Sequence, residues 1–122
     1  MRSIPTLLFV EAVAFAVAAL VHFGVLVDGY QHAQARIAES LISVTLLGGL
    51  AVGLLRPAWA RPAALVSQGL ALLGTLVGMA MIAIGVGPRT IPDVVYHVGI
   101  VIVLVWGLTV AQRTAPETRA AA

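Results

Sequence analysis

Two short polar stretches interrupt an otherwise apolar chain, and each places an aspartate four residues before a histidine. The stretch "DVVYHVG" contains Asp93 and His97 with Tyr96 between them, and "DGYQHAQ" contains Asp28 and His32 around another tyrosine. Residues four apart on a helix share a face. A carboxylate so placed can orient an imidazole as a metal ligand or as an acid–base group. The two stretches therefore mark where chemistry is expected.

The same residues also have structural explanations, and the sequence leaves both open. Thr90 followed by Asp93 matches a capping box, which would make Asp93 a helix-start residue. Asp28 would by the same logic cap the second helix. Tyr96 fits the aromatic belt at a membrane surface, and Arg36 and Glu39 could form a simple ion pair on one helix.

The composition places these residues in a membrane protein. Of the 122 residues, 61% are hydrophobic and only 10% are charged, and the mean hydropathy is +1.05. A soluble domain carries about 25% charged residues. Seven arginines spread along the chain form no basic patch, which excludes a nucleic-acid surface. The absence of cysteine excludes disulfides, thiolate catalysis and cysteine-based metal sites.

Four apolar runs predict an all-α fold, a polytopic membrane protein built as an antiparallel bundle of four transmembrane helices. A helix needs roughly 20 residues to cross the bilayer core. Short polar or proline-containing breaks separate the runs, so neighbouring helices should be antiparallel. We predict one membrane domain over residues 1–112 and a polar tail over 113–122. The predicted spans are 6–27, 37–55, 63–86 and 92–111.

The distribution of arginine predicts the orientation of the chain. Five arginines fall on the side of both termini and of the connection between the second and third spans, against two on the other side. The positive-inside rule then places both termini in the cytoplasm, in a bacterial inner membrane. The five are Arg2, Arg56, Arg61, Arg113 and Arg119, and the two are Arg36 and Arg89.

Polar residues converge at the predicted non-cytoplasmic end. At 1.5 Å rise per residue, His22 should lie about 8 Å and His97 about 9 Å inside their spans. His32 and Arg36 stand at the entry to the second span, with Glu39 one turn deeper. Ionisable groups within a span are costly and usually face the bundle interior with partners. A polar site inside the bundle near this face is therefore expected.

The preferred occupant of that site is a metal ion, a haem or another small ligand. Imidazole is a common ligand for zinc, copper and haem iron. The predicted metal ligands are His22, His97 and His32, with His22 and His97 at matched depth as axial haem ligands. The predicted ligand-binding residues are Glu39, Arg36, Tyr96 and Asp93.

Two further functions fit the same sequence. A small membrane enzyme or proton-coupled carrier could act on a lipophilic small molecule, with Glu11, His22 and His97 as candidate catalytic groups; Glu11 could equally be a protonated carboxyl bonded to Gln68. An accessory subunit would instead dock against a larger membrane complex or another copy of itself. Close contacts at Gly49/Gly53 and Gly74/Gly78 would serve helix packing or make room for a ligand.

Overall fold

The computed structural model describes residues 3–116, and four long helices account for most of them. A short 3₁₀ turn, Pro57–Trp59, joins the second helix to the third, and residues 3–116 contain no strand. All four helical segments are long and apolar enough to cross a membrane, which confirms the predicted all-helical, membrane-type fold. The helices are α1 (Ser3–His22), α2 (Ala33–Leu55), α3 (Ala60–Ala83) and α4 (Ile91–Arg113). Arg2, Arg119 and most of the predicted polar tail lie outside the described residues.

The distribution of side chains is the inverse of that in a soluble protein. Large apolar residues lie on the outside; Leu55 and Ile91, for example, are 78% and 80% exposed. Polar side chains lie inside, and Glu11 is completely buried. Hydrocarbon satisfies apolar surface but no hydrogen-bonding group, so polar groups in a membrane turn toward the bundle interior. The fold is therefore organised for a lipid surrounding, with its polar groups available to one another.

Both α1 and α3 end in a Schellman motif built on a glycine with positive φ. Gly24 (φ 77°) and Gly85 (φ 87°) occupy the left-handed position after the helix. In the first motif the Val25 N–H donates to the Leu20 carbonyl at 3.1 Å, and α3 repeats the pattern. The helices therefore stop before the apolar runs do. His22 is the last residue of α1, so the expectation that it lies about 8 Å inside a longer helix is wrong.

The helix starts show which polar residues serve as caps. Thr90 caps α4, accepting from the Asp93 N–H at 3.3 Å, so the predicted N-cap is confirmed. The Asp93 carboxylate accepts from the Thr90 hydroxyl instead of from the Thr90 N–H that a complete capping box would use. His32 caps α2, and its Nδ1 accepts from the Ala35 N–H at 3.2 Å. The expectation that Asp28 caps α2 is wrong, because α2 begins five residues later and Asp28 is exposed.

Contacts between helices establish the antiparallel arrangement. Arg61 at the start of α3 donates from Nε to the Ala111 carbonyl at the end of α4, at 3.2 Å. Ser43 of α2 donates to the Ala12 carbonyl of α1 at 2.9 Å. Gly49 packs so closely on α3 that an added Cβ would collide with Ser67. We call the end where α1 and α3 stop and α2 and α4 begin the polar end.

Candidate functional site

A single histidine joins three helices at the polar end. His22 Nδ1 lies 2.7 Å from Glu39 Oε2 on α2, and its Nε2 lies 3.0 Å from Asp93 Oδ1 on α4. All three residues are buried, with exposed fractions of 2%, 4% and 6%. The local structure explains the meeting: Gly24 stops α1 at His22, and the Thr90 cap fixes Asp93 in the first turn of α4. We call this group the Glu39–His22–Asp93 cluster.

Proton counting fixes the charge of this cluster. Each imidazole–carboxylate contact needs one proton between nitrogen and oxygen, because two lone pairs facing each other would repel. An imidazole without protons and two carboxylates together carry minus three, and two protons leave minus one. The total is the same whether a given proton lies on His22 or on its partner. The hydrogen-bonded cluster is therefore an anion unless it takes up a third proton.

The two carboxyl groups differ in how fully they are satisfied. The second oxygen of Asp93 accepts from the Thr90 hydroxyl. Glu39 Oε1 is buried and has no hydrogen-bond partner within residues 3–116. A buried polar atom without a partner costs free energy, and in a native protein it calls for an explanation such as a ligand or a proton. Glu39 is thus the unsatisfied member of the cluster.

His97 presents a second unsatisfied acceptor. Its Nδ1 lies 2.7 Å from the Asp93 carbonyl oxygen, one helical turn earlier. A carbonyl only accepts, so Nδ1 carries the proton, and the neutral ring then has its lone pair on Nε2. Nε2 makes no hydrogen bond among the described residues, and it lies 3.7 Å from the position a Cβ would take on Gly78. Gly78 therefore keeps the approach to this nitrogen open.

Glu39 and His97 line the same cavity. It has a volume of about 300 Å³ and lies between α2, α3 and α4, with Phe15 of α1 at its back. Its walls are mostly apolar, and Ile42, Gly78 and Met81 belong to them. We call it the α2–α3–α4 cavity. A mostly apolar hollow with a few convergent polar groups is the usual form of a small-molecule site.

A second cavity lies on the opposite side of His22. It has a volume of about 380 Å³, is bordered by α1 and α4, and is lined by His22 and Asp93 together with Tyr30 and Tyr96. We call it the α1–α4 cavity. His22 and Asp93 belong to this wall, whereas Glu39 belongs to the other, so the Glu39–His22–Asp93 cluster runs from one cavity to the other.

Tyr96 lies between an aromatic ring and an imidazole ring. Its ring meets Phe15 edge-on at a centroid distance of 6.1 Å and His97 at 5.3 Å. Its hydroxyl oxygen is buried and unpaired within the described residues. Tyr96 shares the α1–α4 cavity with Asp93, whereas Glu39 lines the other cavity.

Two predicted site residues are engaged elsewhere. Arg36 lies over the ring of Phe23, with its guanidinium carbon 5.1 Å from the ring centroid, so the expected pairing with Glu39 is wrong. His32 uses Nδ1 to cap α2, and its Nε2 donates to the Val86 carbonyl at 3.2 Å. His32 therefore ties the start of α2 to the segment after α3, at the mouth of the α2–α3–α4 cavity.

Glu11 forms a separate polar pair about 16 Å from His22 along α1. Gln68 Nε2 of α3 donates to both carboxyl oxygens of Glu11 at 3.0 Å each. Gly107 of α4 makes the room, since an added Cβ would lie under 3.0 Å from both side chains. The structural explanation of Glu11 as a partner of Gln68 is thus supported, and Glu11 does not join the cluster at the polar end.

The three histidines are not gathered as metal ligands. Residues 3–116 contain no group of three or more His, Asp or Glu side chains that could hold a metal ion. Both nitrogens of His22 and both nitrogens of His32 are already hydrogen-bonded. Only His97 Nε2 is open, and a pair of axial haem ligands needs two such nitrogens. The geometry gives the metal or haem hypothesis no support.

Comparison of the chain with protein-family models, with curated proteins and with solved structures found no match. The function must therefore be argued from the site itself.

Some residues that shape the site were not predicted from the sequence. Gly78 was assigned to helix packing or to ligand room without any link to His97, and Gly107 and Phe15 were assigned no part in a site. The doubled Asp-x-x-x-His pattern also pointed to the wrong pairing, because Asp93 contacts His22 through its side chain and His97 only through its carbonyl. The sequence does not distinguish a glycine that keeps a binding site open from a glycine that lets two helices pack closely.

Proposed function

We propose that this protein binds, within the membrane, a small lipophilic molecule whose head group donates hydrogen bonds. The site is the α2–α3–α4 cavity. The observation that carries the proposal is the coincidence of two unsatisfied acceptors, Glu39 and His97 Nε2, on the wall of one mostly apolar cavity. An ammonium group has enough N–H donors to satisfy both acceptors, and a hydroxyl group could satisfy one of them, while an apolar body would occupy the remainder beside Phe15 and Met81.

The apolar walls and the surroundings favour a ligand that arrives from the lipid. All four helices carry exposed apolar side chains and are long enough to cross a membrane, which supports a bilayer around the site. A lipophilic molecule with one polar head would lose little by leaving the bilayer and would gain hydrogen bonds that lipid tails cannot supply. Between the two chemistries predicted for the polar site, this geometry favours ligand binding over metal coordination.

The test uses three ligands of one shape. Para-butyltoluene, para-butylbenzyl alcohol and para-butylbenzylamine share a body and differ only in the head group. Calorimetric titration of the purified protein in lipid nanodiscs should show the alcohol binding roughly fivefold more tightly than the toluene, since a net hydrogen bond contributes about 1 kcal/mol. Equal affinities for alcohol and toluene, or no binding by any of the three, would overturn the proposal.

A matched pair of glycine variants locates the site. Gly78→Ala places a methyl group 3.7 Å from His97 Nε2, an ordinary contact that leaves the fold intact but covers the nitrogen. Gly99→Ala on α4 meets nothing within 4 Å and serves as the control. We expect the alcohol's advantage over the toluene to shrink in Gly78→Ala and to persist in Gly99→Ala. The same loss in both variants would place the ligand elsewhere.

A further inference from the structure

We infer that the head group is a cation, and that on binding it replaces one proton in the Glu39–His22–Asp93 cluster. This inference rests on the proposed function and narrows its ligand class to lipophilic amines. When the cluster holds only the two protons of its internal hydrogen bonds, its charge is minus one.

No fixed cation balances that charge among the described residues. The titratable groups around Glu39 are His22 from α1, His32 at the start of α2, and Asp93, Tyr96 and His97 from α4. The α3 wall contributes only uncharged residues, among them Gly74, Thr75, Gly78 and Met81.

The nearest arginines are committed to other contacts. Arg36 lies over Phe23, and Arg89 donates to the carbonyls of Ile82 and Ala83. An uncompensated charge inside a membrane protein is costly. Either a third proton or a bound cation must therefore neutralise the cluster.

The proton and the cation compete for the same group. Asp93 has both carboxyl oxygens engaged, one by His22 and one by Thr90, whereas Glu39 retains an unpaired oxygen. The third proton belongs on Glu39, and a cationic head in the α2–α3–α4 cavity would meet the same carboxyl. With the third proton on Glu39, the cluster has no net charge. When the cation replaces that proton, the total charge of cluster and ligand is again zero.

The exchange balances in both protons and charge. The third proton leaves Glu39 for the solvent as the cation arrives, while the two protons of the internal hydrogen bonds stay at the two His22 nitrogens. Glu39 has lost one proton and one cation has entered, so the total charge of cluster and ligand is unchanged.

The experiment measures protons released per ligand bound. Para-butylbenzylamine is titrated calorimetrically into the full-length protein in nanodiscs, in buffers of different ionisation enthalpy, at a pH where the free amine is fully protonated. The slope of the observed enthalpy against the buffer's ionisation enthalpy should correspond to about one proton released. The amine should bind about tenfold more tightly than the alcohol, which should release none.

Asp93→Asn is the decisive variant, because Asp93 lines the cavity that the ligand does not occupy. Asparagine keeps the shape of aspartate and can still form hydrogen bonds with His22 and Thr90. It removes one negative charge, so the cluster is neutral when it holds only the two protons at His22. The amine should lose its tenfold advantage over the alcohol and its proton release. Glu39→Gln should do the same, and it provides a second test should the Asp93 variant fold poorly.

The outcomes separate the two proposals. An amine that binds without releasing a proton, or that binds Asp93→Asn as tightly as the parent protein, would overturn the proton exchange and leave the binding site standing. Binding of the alcohol but not of the amine would do the same. Failure of all three ligands would overturn both.

Discussion

Replacing His22 tests the energetics of the buried cluster most directly. His22→Leu substitutes an apolar side chain of similar size, so it removes two hydrogen bonds without opening a large cavity. Glu39 and Asp93, 4% and 6% exposed, are then left without their shared partner. Removing one member of a buried ionic group costs about 3–5 kcal/mol, because the remaining charges stay buried and uncompensated. A single hydrogen bond between transmembrane helices contributes only about 0.6 kcal/mol on average.

The assay is unfolding in mixed micelles by titration with sodium dodecyl sulfate, followed by circular dichroism. His22→Leu should lower the free energy of unfolding by about 3–5 kcal/mol. Thr109→Val is the control, because Thr109 bonds only to the Val105 carbonyl of its own helix, and it should change that free energy by less than about 1 kcal/mol.

A neutralised variant distinguishes lost packing from buried charge. Adding Glu39→Gln and Asp93→Asn to His22→Leu removes both carboxylates while keeping their size. If uncompensated charge is the cause, this triple variant should recover at least about 2 kcal/mol relative to His22→Leu. A loss below about 1 kcal/mol in His22→Leu, or a triple variant no more stable than the single one, would refute the charge argument.

Two further predictions concern packing and orientation. Gly107→Ala should destabilise the protein by about 1–3 kcal/mol, since the added methyl would overlap the buried side chain of Glu11; Gly99→Ala, with open space around it, should be neutral or slightly stabilising in the same unfolding assay. Reporter fusions after Arg56 and Arg89 should report opposite sides of the membrane, with Arg56 cytoplasmic; the same side for both would contradict the four-span topology.

The local features of the fold were predictable from the sequence because local residues determine them. An apolar run of about 20 residues has few alternatives to a helix in a membrane, and Thr90 caps α4 by accepting from the N–H of Asp93, three residues later in the chain. The helix ends at Gly24 and Gly85 were also encoded locally. They were missed because the apolar run continues past each glycine and hides the Schellman signal.

The partners within the site were not predictable, because they depend on distances in space between residues far apart in the chain. His22 and Asp93 are 71 positions apart. Similar depth along their helices suggested a meeting, but it could not say which faces turn toward each other. The prediction instead set His22 opposite His97, whereas His22 contacts Asp93 and Glu39 and leaves His97 to the neighbouring cavity.

The ends of the helices explain why Glu39 rather than Asp93 is the group that exchanges its proton. The partial negative charge at the end of a helix favours a cation, and His22 is the last residue of α1. The partial positive charge at a helix start favours an anion, and Asp93 lies in the first turn of α4. The two helix ends therefore place complementary partial charges beside His22 and Asp93.

Glu39 receives less of this help, because it lies in the second turn of α2 and the effect fades beyond the first. It also has one oxygen without a donor. The same fold that stabilises the charges on His22 and Asp93 therefore leaves the third proton to Glu39, on the wall of the cavity where a ligand can replace it.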